Sequence, residues 1–533
     1  MARSYWSMNK PTCQAEMAVT PVIIGVADVK NKSDVLKEPA TLMFEAISHA
    51  IHDTGLASLA PVISQIDSID VVRTWTWPYA DLPGLLGKWL GLDERPAWTR
   101  YTEHGGNEPA RLVDEAAGRI SRGETKVAVV TGGEALASLT AFSKSGKAEP
   151  PGWTKPDTSV DTVFSPSTMD LGQDIGGIHS IGTPIQIYPL YENGFRAHRG
   201  QTPKDNNDES ASLYADFAQV AATNQYSWNY GVPPATKESI GVVSTKNRMI
   251  CSPYPLLMNA FNTVNLAAAV LLTSAENARQ LGVPEDKWVY PLGGAGRKER
   301  GHFWERPNFY HSDAISITLD ECLSLSGITL GDIDVLDLYS CFPIVPKLAC
   351  HHLGLPILNS PKPLTLLGGL TSFGGAGNNY SMHAITEMSR QLRARRAKAG
   401  LVLANGGVLS YQHALCLSSD PRREELPYPD SRGSSGDIVG APVAVEPFAQ
   451  GEAVVETFTV QFDREGNPEM AFIIGRLREN GRRFVANHGD QRTLQELASS
   501  VEHVGKVGCV EIRRDGSGDP ESNAFFLGPR PRM

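Results

Sequence analysis

The chain reads as an α/β protein: two like halves rich in βαβ units, a long loop-domain insertion in the first half, and a small OB-like β-barrel at the end. Three observations predict this. Four segments recur in the same order in two stretches of the chain. A run from 141 to about 225, rich in Gly, Pro, Ser and Asp, interrupts the first stretch. The last hundred residues switch to alternating strand patterns. The expected divisions are a tail (1–20), a first half (21–140), the insertion (141–235), the first half resumed (236–290), a second half (291–426), and a linker with the barrel (427–533).

The first element is a strand, Pro21 to Ala27, whose unbroken apolar run predicts burial on both faces of a parallel sheet. A helical pattern follows from Thr41 to Ile51, with Gly55 placed for a left-handed cap. Ile66 to Val72 reads as a strand. A helix from about Glu108 to Ile120 leads through Gly123 to the strand Val127–Val130, closed by Gly132 and Gly133. Downstream, the helix Leu319–Ser326 with its stop at Gly327, the strand Asp332–Asp337, the helix Tyr380–Leu392 and the strand Ala399–Leu403 with Asn405-Gly406-Gly407 repeat that order. Right-handed crossovers would then give parallel sheets flanked by helices. Within the insertion, Ser210–Tyr226 is helical; Ile240–Val243 and the small-residue run Leu266–Leu272 resume the core. Pro427–Gly440 is a linker. Val454–Phe462 alternates, Asp463–Asn467 is a hairpin turn, and Ala471–Leu477, Arg483–Val485 and Val507–Ile512 add strands to the barrel.

Composition narrows the function. The 533 residues carry 49 Lys+Arg against 59 Asp+Glu, a net charge of −10, with 41 % hydrophobic and 20 % charged residues. That is a globular chain with large cores. The acidic balance argues against a nucleic-acid partner, which needs a basic footprint. No apolar run approaches the ~18 residues of a transmembrane segment. The seven cysteines (13, 251, 322, 341, 350, 416 and 509) are dispersed and odd in number, without a C-x-x-C pair. Neither a disulfide framework nor a metal site is expected, and an intracellular, reducing compartment is. The terminal Arg530-Pro531-Arg532-Met533 loosely resembles a peroxisomal address, so peroxisome and cytoplasm both stand as expectations.

Two tandem α/β halves with an insertion in the first resemble the thiolase superfamily over roughly residues 20 to 420. Thr131-Gly132-Gly133-Glu134 is similar to the G-G/F-E strand end of thiolases, and Ala267-Ala268-Ala269 to their D-G-A-A-A segment. Tyr339-Ser340-Cys341-Phe342 stands where sterol-carrier-type thiolases have H-D-C-F, and Gly374-Gly375-Ala376 where thiolases have G-H-P. The added barrel resembles that of type-1 thiolase-like proteins. The resemblance implies duplicated thiolase-type halves and coenzyme A or an acyl-CoA as substrate, with a small-molecule acceptor and no tightly bound cofactor. Homodimers are the usual form of such halves, although the extra barrel would obstruct or replace that pairing.

The departures bear on chemistry. The position of the thiolase acyl-accepting cysteine falls at Gly106, the G-H-P histidine is Gly375, and the second cysteine falls at Ala404 or Asn405. Acyl transfer still needs a nucleophile or oriented acceptor, a base, and donors for an oxyanion. Glycine-rich loops before helices, Gly105-Gly106-Asn107 and Gly374 through Asn379, offer backbone donors, with Asn378 and Asn379 as side-chain donors. Cys341 is either a nucleophile or a pocket wall. His383 or His104 is the base; Ser340 and Tyr339 replace the acidic and His/Asn positions of the motif, and Tyr339 donates to a carbonyl or orients a water, or is an aromatic plug. Gly406 closes the matching strand. His179, Tyr188, Tyr191, Asn193 and Arg196 in the insertion suit adenine or phosphate contacts, as does Arg248. The run Arg390, Arg393, Arg395, Arg396, Lys398 reads as an exposed helix face. Two functions follow: a thiolase-like acyltransferase that makes or breaks a carbon–carbon bond or moves an acyl group, or a non-catalytic acyl-CoA or lipid-binding protein.

Overall fold

The computed structural model describes residues 19–92, 94–144, 150–156, 158, 171–422, 427–429, 436–438 and 441–528. The tail before residue 19, with Cys13, most of the linker and the terminal Arg530–Met533 lie outside the described residues.

In chain order the strands are β1 (Pro21–Lys30), β2 (Ile66–Val71), β3 (Trp98–Tyr101), β4 (Val127–Ala135), the short β5 (Met249–Cys251) and β6 (Tyr254–Pro255), and β7 (Asn265–Ser274). They continue with β8 (Tyr290–Lys298), β9 (Val335–Leu338), β10 (Ala399–Gly406) and β11 (Tyr411–Ser418). The last five are β12 (Gly451–Phe462), β13 (Pro468–Leu477), β14 (Arg483–His488), β15 (Val507–Arg514) and β16 (Pro520–Leu527).

One body sheet has the order β1-β7-β4-β2-β3 and the other β8-β11-β10-β9, so the duplication is visible in four strands of each, with β3 unmatched. The expected all-parallel sheets are corrected. β7 runs antiparallel to both β1 and β4, and β11 antiparallel to both β8 and β10; only the β4-β2-β3 and β10-β9 steps are parallel. An unbroken apolar run reports burial on two faces, not strand direction. β1 is the edge strand of its sheet, antiparallel to β7, and is nonetheless buried along nearly its whole length.

The helices Glu108–Ser121 and Tyr380–Arg393 pack on each other and against strands of both sheets, and so form the central layer. Helix Pro39–Asp53 covers the first sheet from outside and Asp313–Ser326 the second. Both central helices bury most of their surface; in Glu108–Ser121 the small residues Ala110, Ala116, Ala117 and Gly118 are among the buried ones. This arrangement delivers the two helix N-termini, and the glycine loops before them, to one region between the sheets.

The insertion contributes the helices Pro184–His198 and Pro203–Thr223, each with Pro at its first turn. The Thr202 hydroxyl caps the second by accepting from Asp205 N at 3.1 Å. The first escapes periodicity analysis because every residue from Gln186 to Arg196 is buried, leaving no polar stripe. Ile240–Val243 does not resume the core: it ends a short helix, Lys237–Gly241, and Val242 and Val243 are 62 % and 52 % exposed. In the C-terminal region β13-β14-β16-β15-β12 closes into a barrel through the β12–β13 pairing. β12 also pairs with β5, so the short β5–β6 hairpin of the body extends the barrel's sheet. Among the described residues no helix is long and apolar enough to cross a membrane.

Candidate active site

The two glycine loops approach opposite strand ends, one by packing alone and the other with a hydrogen bond. Asn107, before the helix Glu108–Ser121, lies over Gly406 at the end of β10; a Cβ on Gly406 would come within 2.6 Å of Asn107 Oδ1. Asn379, before the helix Tyr380–Arg393, lies over Gly132 in β4 and donates Nδ2–H to the Gly132 carbonyl at 2.8 Å. A Cβ on Gly132 would run into its Oδ1. Both strand glycines are required by this close approach.

A cleft of about 400 Å³ opens where these loops meet. Its walls include Trp75, Tyr188, Tyr339, Phe342, Leu370 and Tyr411, with His104, Asn262, Cys341, Asn378, Asn405 and Ser410 as polar groups and Gly105, Gly106, Gly377, Gly406 and Gly407 as bare backbone. No Lys, Arg, Asp or Glu is among its described lining residues. Apolar walls with few convergent polar groups are the usual form of a small-molecule site.

Cys341 sits at the floor beside Asn405, whose Nδ2 is 3.8 Å from its Sγ. Burial pushes the Cys341 thiol up to about 12, against smaller lowering effects of Tyr188 and Asn405. Asn405 is fully engaged: Nδ2–H donates to the Tyr188 hydroxyl at 2.8 Å, and Oδ1 accepts from Gln412 Nε2–H at 2.7 Å. The Tyr188 hydroxyl donates to the Gly407 carbonyl at 3.0 Å, and its ring stacks on Phe342 at 4.6 Å.

His104 is held by Asn378. The Asn378 amide has one orientation, because Oδ1 accepts from Gly105 N–H at 3.1 Å and Nδ2–H donates to the Arg73 carbonyl at 2.8 Å. The second Nδ2 hydrogen therefore points at His104 Nδ1, 3.1 Å away, which must accept. The neutral ring then carries its proton on Nε2. Burial, with the nearby Arg73 charge, lowers the His104 pKa to about 4, so the ring is neutral at physiological pH.

Tyr339 is 95 % buried, and burial raises its phenol well above the ordinary range. Its ring stands against Gly106: a side chain at 106 would run into the Asn405 carbonyl oxygen and come within 2.6 Å of the Tyr339 hydroxyl. Glu134, behind the opposite loop, is buried under Gly377 and accepts from Trp75 N–H at 2.7 Å, Thr74 O–H at 2.8 Å, Thr76 N–H at 3.0 Å and Thr76 O–H. Desolvation outweighs these four donors and raises its pKa to about 7.

Comparison places this architecture. The chain aligns with an SCP2-thiolase-like protein type 1 from Mycobacterium smegmatis, described as monomeric, at 31 % identity and a TM-score of 0.78, covering 96 % of this chain and 99 % of that one. It belongs to that family of thiolase-like proteins. Residues 436–517 match the thiolase-like protein type 1 additional C-terminal domain. Two more distant structures share the fold. One is the Ltp2-ChsH2(DUF35) aldolase, at 20 % identity and TM-score 0.58 over 76 % of this chain and 99 % of that one. The other is the dimeric peroxisomal thiolase of Saccharomyces cerevisiae, at 14 % identity and TM-score 0.55 over 75 % and 98 %. No curated protein matches by sequence.

In this thiolase-like protein the structure brings Cys341, Tyr339, His104, Gly105, Gly106, Asn378 and Gly406 together in the cleft, with Tyr188 of the insertion beside them. The other expected site residues lie elsewhere. His383 is wholly buried one turn into its helix, where Nδ1 faces Asp28 Oδ1 at 2.5 Å and the ring tilts on Phe373. Asn107 and Asn379 are spacers between helix and strand end. The Ser340 hydroxyl turns away under Gly369, and only its carbonyl is used, accepting from Tyr214 O–H at 2.9 Å. Gly374 packs on Val264, and Gly375 N–H donates to the Phe261 carbonyl at 2.7 Å, so both shape the turn ahead of the loop. Arg248 donates to the Met249 carbonyl beside β5.

In the insertion, His179, Asn193 and Arg196 face the barrel rather than a ligand: His179 Nε2 accepts from Asn523 N–H at 2.9 Å, Asn193 Nδ2–H donates to the Phe458 carbonyl at 2.9 Å, and Arg196 pairs with Glu502. Tyr191 packs on Phe309. Arg390 and Arg393 are not a solvated face, since they pair with Asp28 and Asp53. Sequence reasoning missed Trp75, Gln412 and the seat of Glu134. The Thr131–Glu134 motif was the one available signal for the last.

Proposed function

We propose that this thiolase-like protein binds an acyl-CoA thioester in the cleft and acts on it directly, without an acyl-enzyme, in making or breaking a carbon–carbon bond with a small-molecule acceptor. Coenzyme A is then part of the substrate and not a resident cofactor. The observation that carries this reading is the contact between Gly106 and Tyr339. The space that a nucleophilic side chain at 106 would need is taken by the Tyr339 hydroxyl and the Asn405 carbonyl. The remaining thiol, Cys341, is held protonated by burial. Tyr339, also held protonated, is a donor for a thioester carbonyl or the enolate formed from it; the apolar walls, with no charged side chain among the described lining residues, strengthen that bond.

The neutral His104 and the lack of a carboxylate among the described lining residues favour a second reading, an acyl-CoA-binding protein without turnover. One experiment separates them. Wild type, Cys341→Ala and Tyr339→Phe are incubated with a panel of acyl-CoAs, while free coenzyme A and the intact protein mass are followed. Direct chemistry predicts coenzyme A or product release with no adduct, unchanged in Cys341→Ala and reduced about 10²–10³-fold in Tyr339→Phe, the usual cost of one lost oxyanion donor. Saturable binding without release supports the second reading. An acyl adduct on Cys341 overturns the first.

A further inference from the structure

We infer that the C-terminal barrel sets the shape of the cleft, acting through two buried arginines, Arg483 and Arg306. The cleft rim between β10 and β11 is the turn Gly407-Val408-Leu409-Ser410, of which Gly407, Val408 and Ser410 line the cleft. Leu409 there adopts φ +59°, a left-handed conformation that side chains other than glycine disfavour. Such a turn persists only where its surroundings over-determine it.

Arg306 supplies that constraint. It is 1 % exposed, and its guanidinium donates to the Val408 carbonyl at 2.7 Å, to Ser410 Oγ at 3.1 Å and to the Tyr191 hydroxyl at 3.2 Å. One planar fork thus pins both sides of Leu409. Arg306 is itself held from the barrel. Arg483, the first residue of β14 and fully buried, donates to the carbonyls of Trp304 (2.9 Å), Arg306 (2.5 Å) and Pro307 (3.1 Å), and is oriented by Glu456 of β12. The barrel grips the segment that carries Arg306, and Arg306 grips the rim.

A second grip converges on the same point. In β12, Thr457 O–H donates to the Leu190 carbonyl at 2.6 Å, and the Phe458 carbonyl accepts from Asn193. Both partners lie on the Pro184–His198 helix, within two turns of Tyr188. Tyr188 accepts from Leu409 N–H at 3.3 Å. The barrel therefore holds the aromatic wall and the rim turn from opposite sides, and they meet at Tyr188 and Leu409. Arg306 and Arg483 are positioning residues, with no place in the cleft lining.

The inference rests on the reading of this cleft as the binding site, but its first test needs no ligand. Hydrogen exchange with mass spectrometry on the full chain compares wild type, Arg483→Met, Arg306→Met and Arg306→Lys. The peptide over 406–411 loses protection at least tenfold in both Met variants, while β7 and the β10 segment 399–403 keep wild-type protection. Arg306→Lys, which retains a donor for Val408, restores part of it. Unchanged protection of 406–411 in both Met variants overturns the relay. If Arg483→Met does not fold, Arg306→Met decides, since it leaves the carbonyl that Arg483 grips. A butyryl-CoA titration follows, with weaker binding in the Met variants expected. A loosened rim in a protein that never binds an acyl-CoA would remove the acyl-CoA reading and leave the relay standing. A loosened rim with wild-type affinity would show that the relay does not reach the ligand and would overturn it.

Discussion

The native protein should resist alkylation at Cys341, and the expected rate follows from the structure. Burial pushes that thiol to about 12. At pH 8 the thiolate fraction is then ~10⁻⁴, against ~10⁻¹ for an ordinary thiol near 8.5–9, a deficit of roughly 10³. Thiolates of higher pKa are more nucleophilic, with a Brønsted slope of about 0.4–0.5, which returns roughly a factor of 30 over three pKa units. The net expectation is alkylation about 30–50-fold slower than at an open thiol, before any steric occlusion of a residue that is 9 % exposed. The assay is iodoacetamide labelling of folded protein, quenched at intervals and read by peptide mass spectrometry, with the half-buried Cys509 as internal reference. The pH profile separates electrostatics from occlusion. Occlusion alone lowers the rate and leaves a plateau near pH 9; a raised pKa gives a rate still climbing tenfold per unit at pH 10. Labelling of Cys341 at the rate of Cys509 at pH 8, or a plateau below pH 9, would refute the argument and return the thiol to the list of nucleophiles.

Three further outcomes are expected. Gly106→Ala drives a methyl group into the Asn405 carbonyl and the Tyr339 hydroxyl, so overpacking of about 1–3 kcal/mol should lower Tm by differential scanning calorimetry. Adding Tyr339→Phe relieves only the hydroxyl half of that clash, and full recovery would contradict the close backbone approach. Glu134 has a folded pKa of about 7, above its unfolded value near 4.5, so the native state binds the extra proton between those values and stability falls as pH rises from about 5 to 7. The shift corresponds to about 3 kcal/mol, and Asp337, raised to about 6, adds the same trend at lower pH. Glu134→Gln should flatten the upper part of the Tm–pH slope, and an unaltered slope would place the titration elsewhere. Lys347, fully buried, donates to Glu192 at 2.6 Å, Ser210 at 2.7 Å and Asn206 at 3.0 Å. Lys347→Met strands the Glu192 carboxylate and should cost about 3–5 kcal/mol by chemical denaturation; Lys347→Met with Glu192→Gln should recover part of it. Equal loss in single and double variants would show that the stranded charge is not the cause.

What the sequence discloses and what it hides divide on physical lines. The duplicated order of elements is legible because each βα unit carries its own periodicity and stop, as at Gly55 and Gly327, both left-handed in the structure. The direction of β7 and β11 is not, since two-sided burial looks the same in either sense. In the cleft, Gly105, Gly106, Asn378, Tyr339 and Cys341 are found because they follow strands or precede helices, where backbone ends converge. His383 misleads for the opposite reason: a residue one turn into a helix is aimed by helix rotation, and that rotation points it at Asp28 on β1. Trp75, Tyr188 and Arg306 gain their places through contacts with segments far along the chain, and no local pattern encodes those. The buried insertion helix shows no stripe for the same reason that it matters. It is enclosed by the body on one side and the barrel on the other.

The internal symmetry also locates the chemistry. Thr131-Gly132-Gly133-Glu134 and Asn405-Gly406-Gly407-Val408 are matching strand ends, each receiving an asparagine from the facing loop, Asn379 and Asn107. At the first end Glu134 turns inward, takes four donors from 74–76 and seals the space beneath Gly377. At the second end the matching position is Val408, an apolar residue whose carbonyl is drawn off by Arg306, and the space beside it stays open as the cleft. The loops break the symmetry again: Gly106 has no side chain where Asn378 fixes His104. A duplicated fold offers two equivalent ends, and these side chains fill one and leave the other open. Substitutions at Glu134, Tyr339 and Val408 should therefore alter what the cleft does, whereas Asn379, which bonds the opposite strand at Gly132, ties the two halves together and should answer chiefly in stability.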